Sequence, residues 1–375
     1  MRNPRVARRS LPFIVISRLD RGIQVSSMRP LGLRAIRVFL LFSATFLSSA
    51  CYVLKNAYHF TELYKSRQSI EDVLADEKTS ERTKEKLRLV QDILLFARQE
   101  ELNTSGSYRD FIDLGERSVV SYLVQAAEVD QLKLVTWWFP VVGAVPYLGY
   151  FQQEERDRKV EKLKGKGYDV FASEVDAFSG LGWFSDPIFS TFLEKRESSL
   201  ANLLFHELTH ATLWVAGDVT FNENLASYVA DILTIQYLER RSYAEDLVFY
   251  RNKEADFTLF SAWLSTLRAE LEVLYGSRGD MSLSQLLVKK EEVFSSFLKE
   301  RRPRFRTIDF IGDGPWNNAT VLAVNLYTPE TERFQRAHAC VGKVSVGTLL
   351  RAIEKALDKV KQPFAALDSL CSIRS

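Results

Sequence analysis

The chain has 375 residues, of which 46% are hydrophobic and 26% are charged, and its formal net charge is +2. This balance is typical of a globular protein and excludes a disordered chain and a strongly basic nucleic-acid-binding surface. The length allows one large domain or two packed subdomains, with enough sequence to bury a core and to form a cleft.

The segment from Met28 to Cys51 has the layout of a secretory signal peptide. Three arginines precede an apolar run at 38–47, which is short for a membrane span, and small residues then lead to Cys51. Cleavage before Cys51 would resemble the processing of bacterial lipoproteins, whose first cysteine is lipidated. Ser48 stands where a lipobox usually carries leucine, so plain secretion and an uncleaved anchor are alternatives. We expect translation to start at Met28. We also expect the protein to be a lipoprotein of the cell envelope that faces the periplasm.

After residues 1–50, which hold the upstream extension and the signal, apolar residues at helical spacing predict N-terminal helices in 51–105. In 106–186, β-branched and aromatic runs predict strands around one charged helix. The predicted strands are 118–126, 132–142 and 168–175, and the predicted helix is 154–166. The pattern of residues 187–375 predicts a series of helices, with a loop at 312–315. We therefore expect an α+β fold, with a small mixed or antiparallel sheet and a predominantly helical part.

Three cysteines are too few for a disulfide framework. Cys340 and Cys371 could form one bridge. Both lie near helical sequence, however, where a buried free thiol is the commoner outcome.

Residues 202–215 form an apolar helical pattern that carries His206, Glu207 and His210 in the order H-E-x-x-H. Histidines at i and i+4 lie one turn apart on the same face, so both imidazoles can bind one tetrahedral zinc ion. The glutamate can then accept a proton from a water in the open position of the metal. Ordinary core histidines are the alternative, but two of the four histidines in the chain stand in this pattern.

A third ligand is available after the next turn. Gly217 and Asp218 predict the turn, and residues 220–231 predict a second helix that opens with Glu223. A helix hairpin with so short a turn can bring an acidic residue at the start of the second helix against the face of the first.

His206 to His210 followed by Asn222-Glu223-Asn224-Leu225-Ala226 resembles the gluzincin pattern, H-E-x-x-H then N-E-x-x-A, of thermolysin-like and alanyl-aminopeptidase-like enzymes. The 12 residues between His210 and Glu223 are fewer than those enzymes have. The chain is also similar to the bacterial "putative aminopeptidase" lipoprotein family over most of residues 51–330. The blocks that carry this similarity are the cysteine-led start, 137–150, 167–170, 177–187, HELTH and NENLA.

The resemblance implies a gluzincin-like zinc metallopeptidase domain in 106–375, with one zinc ion between the sheet and the helices. It implies His206, His210 and Glu223 as zinc ligands and Glu207 as the general base. Because gluzincins pair substrate backbone with an edge strand and use a Tyr or His to bind the oxyanion, further candidates follow. They are 168–182 as the edge strand, with Ser179 and Gly180 for close approach, and Tyr327 as the oxyanion donor.

Each supporting candidate has an ordinary structural alternative. Ser179 and Gly180 could mark a plain turn, and Tyr327 could be a buried core tyrosine. Ser227 stands where thermolysin-like enzymes carry a carboxylate that orients a zinc histidine, and either Ser227 or Asp231 could take that role. Asp231 could instead face solvent. Asn222 could help to place Glu223 or cap the second helix. His338 has no partner motif, and we expect it in the core or at the surface.

We expect hydrolysis of peptide bonds in a peptide or protein substrate, and an aminopeptidase is favoured. Glu174 or Asp176 is a candidate anchor for the substrate amine. The alternatives are an endopeptidase or another amide hydrolase of the envelope, or a non-catalytic lipoprotein that binds peptides. We expect the lipid on Cys51 to be the contact with the membrane, and we expect no nucleic-acid partner.

Overall fold

The computed structural model describes residue 52 and residues 55–139, 143–175, 186–307, 316–325 and 331–372. Within these residues the helices are α1 (55–65), α2 (Ile70–Ala75), α3 (Glu81–Gln99), α4 (Gln153–Lys164), α5 (Ser190–Leu193), α6 (Glu197–Thr212), α7 (Val219–Arg240), α8 (Ala244–Gly276), α9 (Leu283–Glu300), α10 (Asn318–Asn325), α11 (Glu332–Cys340), α12 (Val346–Leu357) and α13 (Pro363–Ser372). The strands are β1 (Gln68–Ser69), β2 (Asp110–Ile112), β3 (Ser121–Ala127), β4 (Trp137–Phe139), β5 (Gly143–Val145), β6 (Leu148–Tyr150), β7 (Asp169–Val175) and β8 (Ile188–Phe189).

The strands form three small sheets. In the order β6-β3-β7 both pairs are antiparallel, and Leu123 lies opposite Gly149 on one side and Ser173 on the other. In the order β1-β2-β8 the first pair is antiparallel and the second is parallel, while β4 and β5 form a hairpin. The α+β expectation is confirmed, but the expectation of one sheet is wrong.

The expectation of helices alone after residue 187 is also wrong, because β8 pairs with β2. Both residues of β8, Ile188 and Phe189, are fully buried. Their side chains join the main core beside α3 and α6. Two residues are too few to carry a strand periodicity, so burial and pairing determine this strand rather than local sequence.

The main core fixes the position of α6. Leu200, Leu204, Phe205 and Leu208 on one face of this helix are completely buried. The Phe205 ring packs at 5.7 Å from that of Phe96 on α3. Burial of such side chains stabilises the fold by about 2 kcal/mol each. Because the apolar face of α6 faces the core, His206 and His210 lie on its less buried side.

A second core joins the long helix α8 to α9 and α10. Within it the rings of Trp263 and Phe297 pack with their centroids 5.2 Å apart. A buried ion pair between Lys290 of α9 and Asp169 of β7 connects this core to the antiparallel sheet. The backbone N–H of Asn318 donates to the same carboxylate at 2.8 Å. Residues Tyr52–Ser375 thus belong to one compact unit.

A disulfide joins Cys340 at the end of α11 to Cys371 in α13. The expectation of buried free thiols is therefore wrong. The two helices pack against each other, and the Cα atoms of the two cysteines are 5.0 Å apart, which is within the usual range for a disulfide. Helical sequence around each cysteine gave no sign of this pairing, because it arises from the packing of two helices separated by α12.

Among the helices that the structure describes, none has both the length and the apolar character that crossing a membrane requires.

Candidate metal centre

Helices α6 and α7 form the hairpin that carries the predicted motif. Gly217 has a φ of 85°, a left-handed conformation that glycine adopts without strain, and it reverses the chain. The side chain of Asp218 accepts a hydrogen bond from the N–H of Phe221 at 2.9 Å and caps α7. The predicted turn is confirmed.

Asn222 holds the loop of this hairpin to α7. Its Oδ1 accepts from the N–H of Val215 and its Nδ2 donates to the carbonyl of Val215, both at 2.8 Å. The side chain is buried, so these two hydrogen bonds are shielded from water. The interpretation of Asn222 as the cap of α7 is wrong, because Asp218 fills that position. Asn222 instead fixes the entry of α7, one residue before Glu223.

The end of α6 has a second clamp, from the loop after α3. The N–H of Asn103 donates to Thr212 Oγ1 at 2.8 Å, and its Nδ2 donates to the carbonyl of Ala211 at 3.1 Å. These bonds satisfy groups at the helix C-terminus, where carbonyls have no partner within the helix. They fix the last turn of α6, which carries His210.

The hairpin brings three side chains of the predicted metal site together. The Nε2 atoms of His206 and His210 are 3.2 Å apart. Glu223 Oε2 lies 3.2 Å from His206 Nε2, and Glu223 Oε1 lies 3.5 Å from His210 Nε2. One ligand atom from each residue lies within 4.8 Å of the other two, so these side chains could hold a metal ion.

Glu223 is kept anionic in this arrangement. Burial raises the pKa of its carboxyl, but hydrogen bonds from His206 and His210 have the larger combined effect and hold the pKa at about 2. An ionised carboxylate beside two imidazoles is a suitable donor set for a divalent cation.

Glu207 lies in a different environment from Glu223. Burial raises the pKa of its carboxyl, and the charges of His206 and His210 oppose this effect without cancelling it. Within the described part of the chain its carboxylate makes no hydrogen bond and no ion pair. The carboxylate is therefore available to a substrate or a water, and it holds a proton more readily than an exposed glutamate does.

Two residues that the sequence did not single out lie near Glu207. Burial raises the pKa of Tyr108 well above its usual value, and the nearby charges of Glu207 and Asp186 raise it further. The backbone N–H of Tyr108 donates to the carbonyl of Asp186 at 2.6 Å, and Tyr108 has a φ of 62°. This left-handed conformation is rare for an aromatic residue. Asp186 falls within the family block 177–187, which could have indicated it, whereas no sequence signal marks Tyr108.

Two partly exposed aromatic residues lie near the predicted ligands. The ring of Trp214 meets that of His210 edge-on, with centroids 5.3 Å apart. Tyr147 follows β5, and burial and the charge of Glu223 both raise its pKa. Tyr147 belongs to the family block 137–150, which could have indicated it, whereas Trp214 lies just beyond the end of α6.

Asp231 lies two turns beyond Glu223 on α7. Its Oδ1 accepts from Tyr250 Oη at 2.6 Å and from Asn202 Nδ2 at 3.3 Å. Burial raises the pKa of Asp231, and the charge of His206 is among the groups that lower it. These bonds tie α7 to α6 and α8 and do not include His206, so the orienting role of Asp231 stays a prediction.

The remaining candidates divide into two groups. Cys51, Asp176, Ser179, Gly180 and Tyr327 lie outside the described residues. Glu174 is exposed on β7, an end strand of its sheet as far as the described residues extend.

The prediction that His338 could be a core residue is confirmed. It is buried, its Nε2 lies 2.6 Å from the carbonyl of Val344, and its Nδ1 lies 2.9 Å from the hydroxyl of Tyr228. Both ring nitrogens are thus used within the fold, so His338 has no nitrogen left to bind a ligand.

Comparisons with known proteins address the whole chain. Neither the curated proteins nor the solved structures gave a match. A protein-family model, described as "Putative aminopeptidase", matches residues 51–362. This match spans most of the 375 residues and agrees with the prediction from the sequence blocks. The chain therefore belongs to this family.

Proposed function

We propose that this protein is a zinc-dependent peptidase, with His206, His210 and Glu223 as the metal ligands and Glu207 as the general base. The observation that carries the proposal is the convergence of two imidazole nitrogens and one carboxylate on a common point. Membership of an aminopeptidase family supports peptidase activity.

The spacing of the three ligand atoms supports zinc. Bonds of about 2.0–2.1 Å to a tetrahedral zinc ion separate its ligands by about 3.3–3.4 Å. The Nε2 atoms of His206 and His210 are 3.2 Å apart, close to this value, and each lies within 3.5 Å of one of the two oxygens of Glu223. Three protein ligands leave a fourth position for water or substrate, which is the pattern of a catalytic zinc site rather than a structural one.

A zinc ion in such a site acidifies water and polarises a carbonyl group. Glu207 stands beside the first ligand, and its carboxylate has no protein partner among the described residues. It can therefore take the proton from the attacking water and give it to the leaving amine. The burial that raises the pKa of Glu207 makes it a stronger base than an exposed glutamate, which favours the first transfer.

Aminopeptidase activity is our first choice within this proposal, because the family carries that description. Two further roles belong to the proposal, on residues outside the described part of the chain. Tyr327 would donate a hydrogen bond to the oxyanion, and Ser179 and Gly180 would let the substrate backbone approach an edge strand.

We also propose that the protein is exported and anchored in the cell envelope by a lipid on Cys51. The signal-like segment before Cys51 supports export. The disulfide between Cys340 and Cys371 supports it as well, because such bonds persist mainly in oxidising compartments. Radiolabelled palmitate should be incorporated into the wild-type protein in the producing cell and not into Cys51→Ala.

The catalytic part is tested by incubating the zinc-replete protein with a mixed peptide library, beside Glu207→Gln. We expect the wild type to cleave and Glu207→Gln to lose at least about 100-fold in kcat, because the base is gone. The control is Glu272→Gln, which removes an exposed carboxylate on α8 and should leave kcat unchanged.

The cut positions separate the two peptidase classes: removal of single N-terminal residues identifies an aminopeptidase, and internal cuts identify an endopeptidase. Equal rates for the wild type and Glu207→Gln would contradict the role of Glu207. Binding of peptides without cleavage by the wild type would favour a non-catalytic peptide-binding lipoprotein.

A further inference from the structure

A cavity of about 980 Å³ opens beside the candidate metal centre. It lies between α7, α8 and the start of α11, and His206 forms part of its wall. Glu223, Ser227 and Asp231 follow one another at intervals of four residues and share one face of α7. Ser227 and Asp231 line the cavity. The cavity therefore continues from the metal ligands along this face.

Two carboxylates in the cavity have no cationic partner at hydrogen-bond distance among the residues that the structure describes. Asp231 accepts from Tyr250 and Asn202, which are both neutral. Glu254 on α8 is half-buried, and its carboxylate makes no hydrogen bond or ion pair with the residues that the structure describes. The two negative charges repel each other, and burial together with this repulsion raises the pKa of Glu254 to about 7.

The cations on the cavity wall do not balance this charge. Lys253 lies over the ring of Phe257 at 5.7 Å and can offset one of the two carboxylates. Arg333 forms an ion pair with Asp368 outside the cavity lining. Glu332 adds a further carboxylate to the wall. The lining therefore has an excess of negative charge.

We propose that this cavity binds the ammonium group of a peptide, at its N-terminus or on a basic side chain, with Glu254 as the main partner. The inference rests on the proposed function, because it places the peptide next to the metal ligand His206. An ammonium there forms a charge-assisted hydrogen bond with Glu254 and relieves the repulsion from Asp231.

The rest of the lining suits the same ligand. The hydroxyl groups of Ser227, Thr258 and Ser261 on the wall can accept hydrogen bonds from the remaining N–H groups of the ammonium. The apolar surfaces of Ile232, Ile235 and Phe257 can cover the carbon atoms of the bound residue. Glu174, which the sequence offered as an amine anchor, is not part of this cavity.

Binding to Glu207→Gln protein, measured by isothermal titration calorimetry, tests the inference without hydrolysis. The probes are trialanine, N-acetyl-trialanine and N-acetyl-Ala-Lys-Ala. We expect a probe with an ammonium to bind at least about tenfold more tightly than N-acetyl-trialanine, because one charge-assisted hydrogen bond is gained. Adding Glu254→Gln should remove this difference, and the matched control Glu272→Gln should preserve it.

The three probes separate the two sources of the ammonium. A preference for trialanine identifies the N-terminus, and a preference for N-acetyl-Ala-Lys-Ala identifies a basic side chain. Equal affinities for all three probes would overturn the inference, as would an equal weakening of all three by Glu254→Gln. If the wild type cleaves peptides but the Glu207→Gln protein binds all three probes with equal affinity, the ammonium subsite is rejected and the proposed peptidase function is retained. A preference for ammonium in a protein that never cleaves retains the subsite and rejects the enzyme.

Discussion

Two glutamates of the candidate centre differ because their neighbours differ. Glu223 accepts hydrogen bonds from two histidines, which overcome burial and hold its pKa at about 2. Glu207 has no such donor among the described residues, so burial dominates and its pKa is raised. One carboxylate is thus suited to remain an anionic ligand and the other to exchange protons.

The pH dependence of stability should reveal Glu254. Its pKa is raised from 4.5 to about 7 in the folded state, so the folded protein binds the proton more tightly than the unfolded chain. This contribution is fully present below the unfolded pKa and is lost as the pH rises through the folded pKa.

Glu254→Gln removes this titration. Between about pH 5 and pH 8, the wild type should therefore lose about 1 kcal/mol of unfolding free energy relative to the variant, after discounting for solvent screening of a half-buried group. Urea denaturation of both proteins at the two pH values measures the difference. A constant difference between the proteins would contradict the raised pKa.

At the residue scale, those residues of the centre whose positions follow from helical spacing could be predicted from the sequence. His206 and His210 stand at i and i+4, and the short turn predicted that Glu223 would meet them. Tyr108 lies near Glu207 in a left-handed backbone conformation, and its N–H bonds to Asp186, 78 positions further along the chain. No local pattern encodes such a contact.

At the scale of elements, the α6–α7 hairpin determines the geometry of the centre. Asn222→Ala would leave two partly buried backbone groups of Val215 without their side-chain partner. We expect a loss of about 2 kcal/mol in unfolding free energy. Because the loop no longer fixes Glu223, zinc affinity should fall by about tenfold or more.

Chemical denaturation and a competitive zinc titration measure the two effects of Asn222→Ala. Ser282→Ala is the control, since it removes the cap of α9 far along the chain and should cost about 1 kcal/mol with unchanged zinc affinity. The same loss of affinity in both variants would mean that general destabilisation, and not the hairpin, is responsible.

Helix α3 was predictable because its apolar residues, among them Leu87, Val90 and Leu94, repeat at intervals of three and four. The predicted strands at 118–126 and 168–175 match β3 and β7, which are long enough to show strand character. The sheet of β1, β2 and β8 was not predictable. Its strands have only two or three residues, and Phe111 pairs with Ile188, which lies far from it in the sequence.

At the scale of the whole molecule, the disulfide ties the C-terminal helices together. It joins residues separated by 31 positions, and closing such a loop contributes about 3 kcal/mol to stability. Cys371→Ser should therefore lower the melting temperature of the oxidised protein. Thermal unfolding with and without reductant measures this, and a thiol count should find neither Cys340 nor Cys371 free in the oxidised wild type.

The variant itself provides the control for the disulfide. Reductant should lower the melting temperature of the wild type and leave that of Cys371→Ser unchanged. If both cysteines react with a thiol reagent in native oxidised protein, the bridge and its support for export are lost.

The central claim is that His206, His210 and Glu223 hold a catalytic zinc ion. The most direct test is the zinc content of purified protein after equilibration with zinc and removal of the excess, measured by mass spectrometry. We expect about one zinc per chain in the wild type and in Glu207→Gln, and far less in His206→Ala and Glu223→Ala. Absence of zinc from the wild type, or equal zinc in all four proteins, would contradict the claim.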